Sequence, residues 1–195
     1  MSDDNISIEG QLYKLLDNYD KNNDKKAKEI ILQNPSLNIN WQNKNDSNWT
    51  CLHNACWHNR YEIISLLLTQ YPNINPNLQH IGGSTPFHVA CTRNSIESVK
   101  LLLNDERIDI NIKNTYGFTG LTYAADRGFI ATIEYILASM RHITLIPNAI
   151  DNAKKGNNSE IVKLLESYHA QPAITTKHLR AKLNIPGEKN FFLIF

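Results

Sequence analysis

A seven-residue segment of this chain recurs after 35 residues. Residues 50–56 read Thr-Cys-Leu-His-Asn-Ala-Cys, and residues 85–91 read Thr-Pro-Phe-His-Val-Ala-Cys. A third and weaker copy begins 34 residues further on, at Thr119, and an aliphatic run follows each copy at a fixed distance. A repeat of this period indicates stacked helix pairs, because one pair cannot bury its own apolar face. We therefore expect units that stabilise one another by stacking.

The repeated segment has the pattern of a short, capped helix. Thr50 can cap the helix that follows it, and Leu52, Ala55 and Cys56 fall on one helical face at spacings of three and four residues. Small residues occupy two columns of the repeat, which are Ala55, Ala90 and Ala124 in one and Cys56, Cys91 and Ala125 in the other. Such side chains allow the two helices of a unit to approach closely. The aliphatic run forms the second helix, whose apolar stripe is expected to stack against the next unit.

The signature Thr-Pro-Leu-His-x-Ala with an aliphatic run behind it, at a period of about 33 residues, resembles the ankyrin repeat family. The resemblance covers about residues 8–168 and implies an all-α solenoid of about five helix-pair units joined by β-hairpin-like fingers. In the family the turn of each finger contains glycine, which Gly82-Gly83 and Gly117 supply here. Asn48 stands in place of glycine in the first finger. After glycine, asparagine is the residue that best tolerates a positive φ.

The two ends of the array differ from the inner units. We expect a domain over residues 1–170, with an N-terminal cap unit at 8–43, repeats at 44–78, 79–113 and 114–146, and a C-terminal cap unit at 147–168. At the N-terminus the helical spacing of Leu12, Leu15, Leu16 and Tyr19 predicts one amphipathic helix. A second helix is predicted to start at Asp24 and to carry Ala27, Ile30, Ile31 and Leu32. In the fifth unit Ile161 follows its equivalent, Ile133, by only 28 residues, which leaves no room for a finger, so this unit is expected to close the array.

Residues 171–195 do not fit the repeat and form a C-terminal extension. Pro172 is expected to break the preceding helix, and Thr175 or Thr176 to cap a short helix that carries Leu179, Leu183 and Ile185. Residues 191–195 are then five consecutive apolar residues, a segment that needs cover. Three interpretations remain open. The segment folds back over the last unit, marks a fragment boundary or truncated reading frame, or docks on a partner.

Composition excludes several classes of function. The chain carries 20 basic and 19 acidic side chains and neither half has a long basic run, so it lacks the excess of positive charge that non-specific nucleic-acid binding requires. No apolar run approaches the roughly 20 residues that cross a bilayer, and the acidic start of the sequence lacks a secretory pattern. The three cysteines are an odd number, and two of them fill core positions, which favours reduced thiols. We expect a monomer in the cytoplasm, with the nucleus also compatible.

One cluster of residue types invites a metal-binding interpretation. Cys51, His53, Cys56 and His58 lie within eight positions and are all potential zinc ligands. The repeat explains them better, because His53 and His88 both occupy the signature position, where the resemblance implies hydrogen bonds to the signature threonine and nearby backbone. No phosphate loop, nucleophile elbow or spaced carboxylate pair accompanies the histidines and cysteines. We predict no catalytic, cofactor or metal site.

A set of aromatic and charged residues predicts a protein-binding surface. In the family, the residue before the signature threonine and the two residues that end the first helix face a concave groove. These positions, together with Tyr116 two residues before Phe118, give the predicted partner-binding residues, which are Trp49, Trp57, His58, Arg93, Tyr116, Phe118, Asp126 and Arg127. Tryptophan, tyrosine and arginine dominate binding hot spots. Lys100 and Glu134, on second helices, are expected on the opposite, convex face.

One alternative concerns the role of the two tryptophans, and another concerns the surface that binds a partner. Trp49 and Trp57 can instead pack against each other and stiffen a finger that lacks its glycine. We expect a non-catalytic module that binds a partner protein through the groove. The alternative function is a structural or regulatory scaffold that engages partners through the apolar C-terminal tail.

Overall fold

The structure is a computed structural model that describes residues 6–18, 20 and 22–186. Within these residues it contains eleven α-helices and no regular strand, only one isolated bridge. The helices are α1 (Ile8–Asp17), α2 (Asn23–Gln33), α3 (Cys51–Trp57), α4 (Tyr61–Gln70), α5 (Pro86–Thr92), α6 (Ile96–Asn104), α7 (Gly120–Asp126), α8 (Ile130–Ala138), α9 (Ile146–Lys155), α10 (Ser159–Ala170) and α11 (Pro172–Lys182). The part of the chain that is described holds no helix long and apolar enough to cross a membrane.

The helices form the two layers of a solenoid. An inner layer contains α1, α3, α5, α7 and α9, each packed on the next, and an outer layer contains α2, α4, α6 and α8. The two small-residue columns predicted from the sequence are fully buried. They allow close contact between the layers, and larger apolar side chains fill the remaining space, among them Leu12, Leu16, Ile63, Leu67, Phe87, Leu102, Ile133 and Leu137.

A threonine caps each of the three short inner helices of the repeats. The hydroxyl of Thr50 accepts a hydrogen bond from the backbone N–H of His53, and Nδ1 of that imidazole accepts one from the N–H of Thr50. Nε2 of His53 then lies 3.1 Å from the carbonyl oxygen of Ser84, in the next finger. His88 repeats the arrangement, with Nε2 at 2.9 Å from the carbonyl oxygen of Phe118. The hydrogen bonds that the sequence predicted for both histidines, to the signature threonine and to nearby backbone, are present.

The fingers are tight turns rather than two-stranded hairpins in the described residues. The first turn has a single bridge between Asn43 and Trp49, and in the second the N–H of His80 donates to the carbonyl of Ser84 at 3.0 Å. Asn48 has a φ of 62°, which confirms that asparagine replaces glycine there. The turns are joined to one another by backbone hydrogen bonds, from Ile81 to Ser47 at 2.9 Å and from Thr115 to Gly82 at 3.2 Å. Each finger is therefore held by its neighbour.

Asparagine side chains link successive loops. Nδ2 of Asn40 donates to the carbonyl oxygen of Asn73 at 3.0 Å, and its Oδ1 accepts from the N–H of Asn75 at 2.7 Å. One amide thus bonds both a donor and an acceptor of the next unit. The same two-way link recurs at Asn77 and Asn111. These contacts give a structural reason for part of the chain's 25 asparagines.

A side chain from the following segment covers the C-terminal end of each outer helix. Oη of Tyr71 donates to two carbonyls at the end of α2, and Arg107 reaches the end of α4. Arg141 donates to the carbonyl of Leu103, in the last turn of α6, and to the carbonyls of Asp105 and Ile108, which follow that helix. A cation at this end is also favoured by the helix dipole.

The C-terminal extension takes part in the stack. Helix α11 packs on α8 and α10. The contact of α8 with α11 is more extensive than the contact of α8 with α10. Thr176 Oγ1 donates to the carbonyl oxygen of Leu137 at 3.1 Å, and Arg180 Nη1 donates to that of Ala138 at 3.2 Å. Lys182 pairs with Glu134 at 2.5 Å. The fifth helix pair, α9 and α10, therefore does not close the array alone, because α11 also covers α8 of the outer layer.

Several expectations about individual residues need correction. The last helix begins at Pro172 rather than at Thr175 or Thr176, since proline suits the first turn of a helix. Leu32 was expected on an apolar face but is 58% exposed. Glu134 was expected on the convex face of the second helices, and it is 7% exposed and paired with Lys182 of α11. Tyr19 and the apolar segment 191–195 lie outside the described residues.

Candidate protein-interaction surface

Three of the predicted binding residues and one further residue form an aromatic cluster, which consists of Trp49, Trp57, His80 and Arg93. The two indoles meet edge to face with ring centroids 5.6 Å apart, and the imidazole of His80 stacks on Trp49 at 5.8 Å. Cζ of Arg93 lies over the Trp57 ring, 4.2 Å from its centroid. The cluster joins two successive repeats.

The repeat architecture places these four side chains together. Trp49 ends the first finger and Trp57 is the last residue of α3. His80 begins the second finger, and Arg93 is the C-cap of α5, where its backbone N–H bonds to the carbonyls of Val89 and Cys91. Fingers and inner-helix ends come together at this edge of the stack. Aligned repeats thus bring Trp49 and His80, 31 positions apart, and Trp57 and Arg93, 36 positions apart, into contact.

The cluster is packed and still accessible. Both tryptophans and His80 are half-buried, and Arg93 is exposed. The mutual packing of Trp49 and Trp57 is the arrangement that the stiffening interpretation requires. Because neither ring is fully buried, the same arrangement leaves indole surface available for contact with another molecule.

A second aromatic pair lies one repeat further along. The rings of Phe118 and Tyr123 meet edge to face at 5.3 Å, and Nδ2 of Asn114 donates to the Tyr123 hydroxyl at 2.6 Å. Sequence reasoning missed both Tyr123 and His80. Tyr123 stands at the variable position of the signature and His80 at the variable start of a finger. An aromatic residue beside a predicted finger is the signal that could have indicated them.

The other predicted residues occupy separate positions. Tyr116, in the third finger, is 78% exposed, and Asp126 and Arg127 are exposed at the end of α7. Among the ring and cation contacts of the described residues, none joins these three to the aromatic cluster. His58 is half-buried at the C-cap of α3, and its pKa is lowered by burial and by the charge of Arg60.

Comparison with known proteins identifies the architecture. A family model described as ankyrin repeats (3 copies) matches residues 70–146, and one described as ankyrin repeats (many copies) matches residues 20–68. The chain belongs to the ankyrin repeat family. Ankyrin repeats are generally protein–protein interaction modules, because stacked units present an extended surface.

Relatives of this ankyrin repeat protein differ widely in size. The putative ankyrin repeat protein YahD of Escherichia coli is 23% identical over 152 residues, which are 73% of this chain and 74% of YahD. The probable 26S proteasome regulatory subunit p28 of Saccharomyces cerevisiae is 28% identical over 57% of this chain and 49% of p28. The human SMC5-SMC6 complex localization factor protein 1 is 27% identical over 56% of this chain, and the match spans 11% of the human protein.

Burial keeps the imidazole of His53 and the three cysteine thiols of the ankyrin units in their neutral forms near pH 7. Burial lowers the pKa of His53 to about 3 and raises the pKa of the Cys51 thiol to about 12, and it raises the pKa values of the Cys56 and Cys91 thiols too. All three cysteines are unoxidised and buried. Over residues 6–18, 20 and 22–186, no three histidine, cysteine or acidic side chains lie close enough to hold a metal ion.

Proposed function

We propose that this protein is a non-catalytic module that binds a partner protein through the concave surface formed by its fingers and inner-helix ends. The observation that carries the proposal is the aromatic cluster, in which two repeats present indole surface and an exposed guanidinium together. Tryptophan and arginine contribute a large contact area and several hydrogen bonds at low entropic cost. We assign Tyr116, Phe118, Asp126 and Arg127 to the continuation of the same surface, and His58 to its edge.

The proposed mechanism is rigid display. Hydrogen bonds between neighbouring fingers and from His53 and His88 to the fingers hold the surface in place before any partner arrives. Binding then requires little ordering of the protein, so that more of the interaction free energy appears as affinity. Specificity resides in exposed side chains that the fold does not dictate.

Other parts of the proposal concern the partner and the compartment. The names of the yeast and human relatives refer to larger assemblies, the 26S proteasome and the SMC5-SMC6 complex, which supports a protein as the partner. Nearly balanced charge supports the absence of nucleic-acid binding. Buried, reduced cysteines support a cytoplasmic or nuclear location. We propose that the chain acts as a monomer.

Site-specific photo-crosslinking tests the proposed surface. A benzophenone amino acid placed at Tyr116 should capture a partner from lysate, because this side chain is 78% exposed on the third finger. The matched control carries the same group at Leu32, which is 58% exposed on α2. The product from position 116 should disappear when Trp57→Ala is added. Products only from position 32, or only from a probe at Phe192, would contradict the proposal, and the latter would favour partner binding by the tail.

A further inference from the structure

The side chains of the aromatic cluster offer hydrogen-bond donors and no open acceptor. The indoles of Trp49 and Trp57 each carry an N–H that can only donate, and the guanidinium of Arg93 carries several N–H groups and no acceptor. Nδ1 of His80 accepts a hydrogen bond from the N–H of Gly82 at 2.7 Å, so the proton of the neutral ring lies on Nε2. The one potential side-chain acceptor of the cluster is therefore already occupied.

These donors have no partner within the part of the chain that the structure describes. There, Nε1 of both indoles, Nε2 of His80 and the guanidinium nitrogens of Arg93 donate no hydrogen bond. The three ring nitrogens also lie outside the set of buried side-chain atoms that lack a partner, so each of them contacts solvent. Arg93 is exposed as well. All four side chains thus hold donors that water or another molecule must satisfy.

The cluster carries one positive charge, which belongs to Arg93. Burial lowers the pKa of His80, so its imidazole is neutral near pH 7. The neighbouring helix ends and fingers carry charges of both signs, which are Asp17, Asp46 and Asp126 against Lys44 and Arg127. Among residues 6–18, 20 and 22–186, no ion pair joins a carboxylate to Arg93. Its charge is balanced only by the face of the Trp57 ring, with Cζ 4.2 Å from the centroid.

We propose that the aromatic cluster binds the carboxylate of an aspartate or glutamate side chain of the partner protein. The proposal rests on the proposed concave binding surface and names the chemistry that this surface selects. A carboxylate accepts hydrogen bonds at both oxygens and matches the fork of a guanidinium, while accessible indole surface contacts the CH₂ groups of the same side chain. A phosphate group carries a charge of about −1.5 to −2 at pH 7, which a single guanidinium does not balance.

Peptide selection on the full chain tests the proposal. A phage-displayed library of random peptides is selected on the unaltered chain and counter-selected on Trp57→Ala. The recovered peptides should share an aspartate or glutamate at a fixed position. In fluorescence anisotropy, replacing that residue with asparagine or glutamine should weaken binding to the unaltered chain about tenfold or more, but less than about twofold to Arg93→Met.

Two further variants separate a specific contact from a general effect of charge. Arg93→Lys keeps the charge but loses the planar fork, so its affinity for the acidic peptide should lie between those of the unaltered chain and Arg93→Met. Lys25→Met removes an exposed cation of α2 and should leave the affinity unchanged. The thermal midpoint of Arg93→Met should match that of the unaltered chain, because the side chain is exposed.

The possible results distinguish this proposal from the one about the concave surface. Peptides that require Trp57 but share no acidic residue would overturn the carboxylate proposal alone, as would an equal effect of the amide replacement on the unaltered chain and on Arg93→Met. Tighter binding of a peptide with phosphoserine at the acidic position would overturn it too, because phosphate would then be the preferred ligand. If no recovered peptide distinguishes the unaltered chain from Trp57→Ala, both proposals are contradicted.

Discussion

Arg93 places its guanidinium over the indole of Trp57, with Cζ 4.2 Å from the ring centroid, although the two residues end different inner helices. A cation–π contact at such an accessible site contributes about 0.5–1 kcal/mol. Its greater effect is on geometry, because it orients the arginine of one repeat over an aromatic surface of the previous one. Two side chains typical of binding hot spots are thereby held in one place before a partner binds.

His53 is predicted to be structural. Replacing it with alanine removes the ring contacts to Thr50 and to the carbonyl of Ser84, and leaves that buried carbonyl without its bond. We expect the free energy of unfolding in urea to fall by about 1–3 kcal/mol. His142→Ala is the control, since that side chain is exposed, and should change stability little. Equal effects of the two substitutions would show that the His53 bonds do not stabilise the fold.

Stability is predicted to fall in mild acid. The folded pKa of His53 is about 3 because of burial, against 6.5 for an exposed histidine, and burial also lowers the pKa of His88. The unfolded chain therefore binds protons below pH 6.5 that the folded chain does not. The contribution of neutral His53 is complete above pH 6.5 and is lost as the pH falls toward 3.

Urea denaturation at pH 7 and pH 5 measures this loss. For His53 alone we expect the free energy of unfolding to be about 1–2 kcal/mol lower at pH 5. His53→Gln should reduce the pH dependence by that share. An unaltered pH dependence in the variant would mean that His53 does not contribute to it.

Gly83 and Gly117 form a matched pair for the finger packing. Both have a positive φ, 75° and 76°, so alanine at either position adds backbone strain of about 1–2 kcal/mol. A Cβ at Gly83 would also lie 2.7 Å from the backbone nitrogen of Thr115, in the next finger, whereas one at Gly117 meets no atom within 4 Å. Gly83→Ala should therefore lower the thermal midpoint clearly more than Gly117→Ala. Equal shifts would contradict close contact between the fingers.

Arg141 is predicted to hold the end of α6. Arg141→Met keeps much of the side-chain volume but removes the donors to the carbonyls of Leu103, Asp105 and Ile108. We expect a loss of about 1–3 kcal/mol in urea denaturation. Arg127→Met is the control, because Arg127 is exposed. A loss in the control as large as that at Arg141 would point to a general effect of charge.

The sequence predicted the features that each repeat carries within itself. The threonine caps, His53 and His88, the small-residue columns and the left-handed Asn48 all follow from the aligned signature. Contacts between units were harder to predict. His80 stacks on Trp49 and Glu134 pairs with Lys182, and these partners are 31 and 48 residues apart at positions the signature leaves variable. Their contact depends on how units stack, which periodicity alone does not determine.

The position of α11 in the stack could not be predicted from the sequence either. Its buried Thr175 and Leu179 give only a weak apolar stripe, and the residues that attach it bond to backbone carbonyls of α8. Backbone carbonyls are present at the end of every helix, so no sequence pattern indicates which of them a side chain will reach.

Calorimetric titration of a captured partner tests the central claim most directly. Trp57→Ala and Arg93→Ala should each weaken binding by about 1–4 kcal/mol. Leu32→Ala and Lys25→Ala, both exposed on the outer helix α2, should leave the affinity unchanged, and circular dichroism should show the same helix content in all four variants. The account is contradicted if the two α2 variants carry the loss, or if neither Trp57→Ala nor Arg93→Ala changes the affinity.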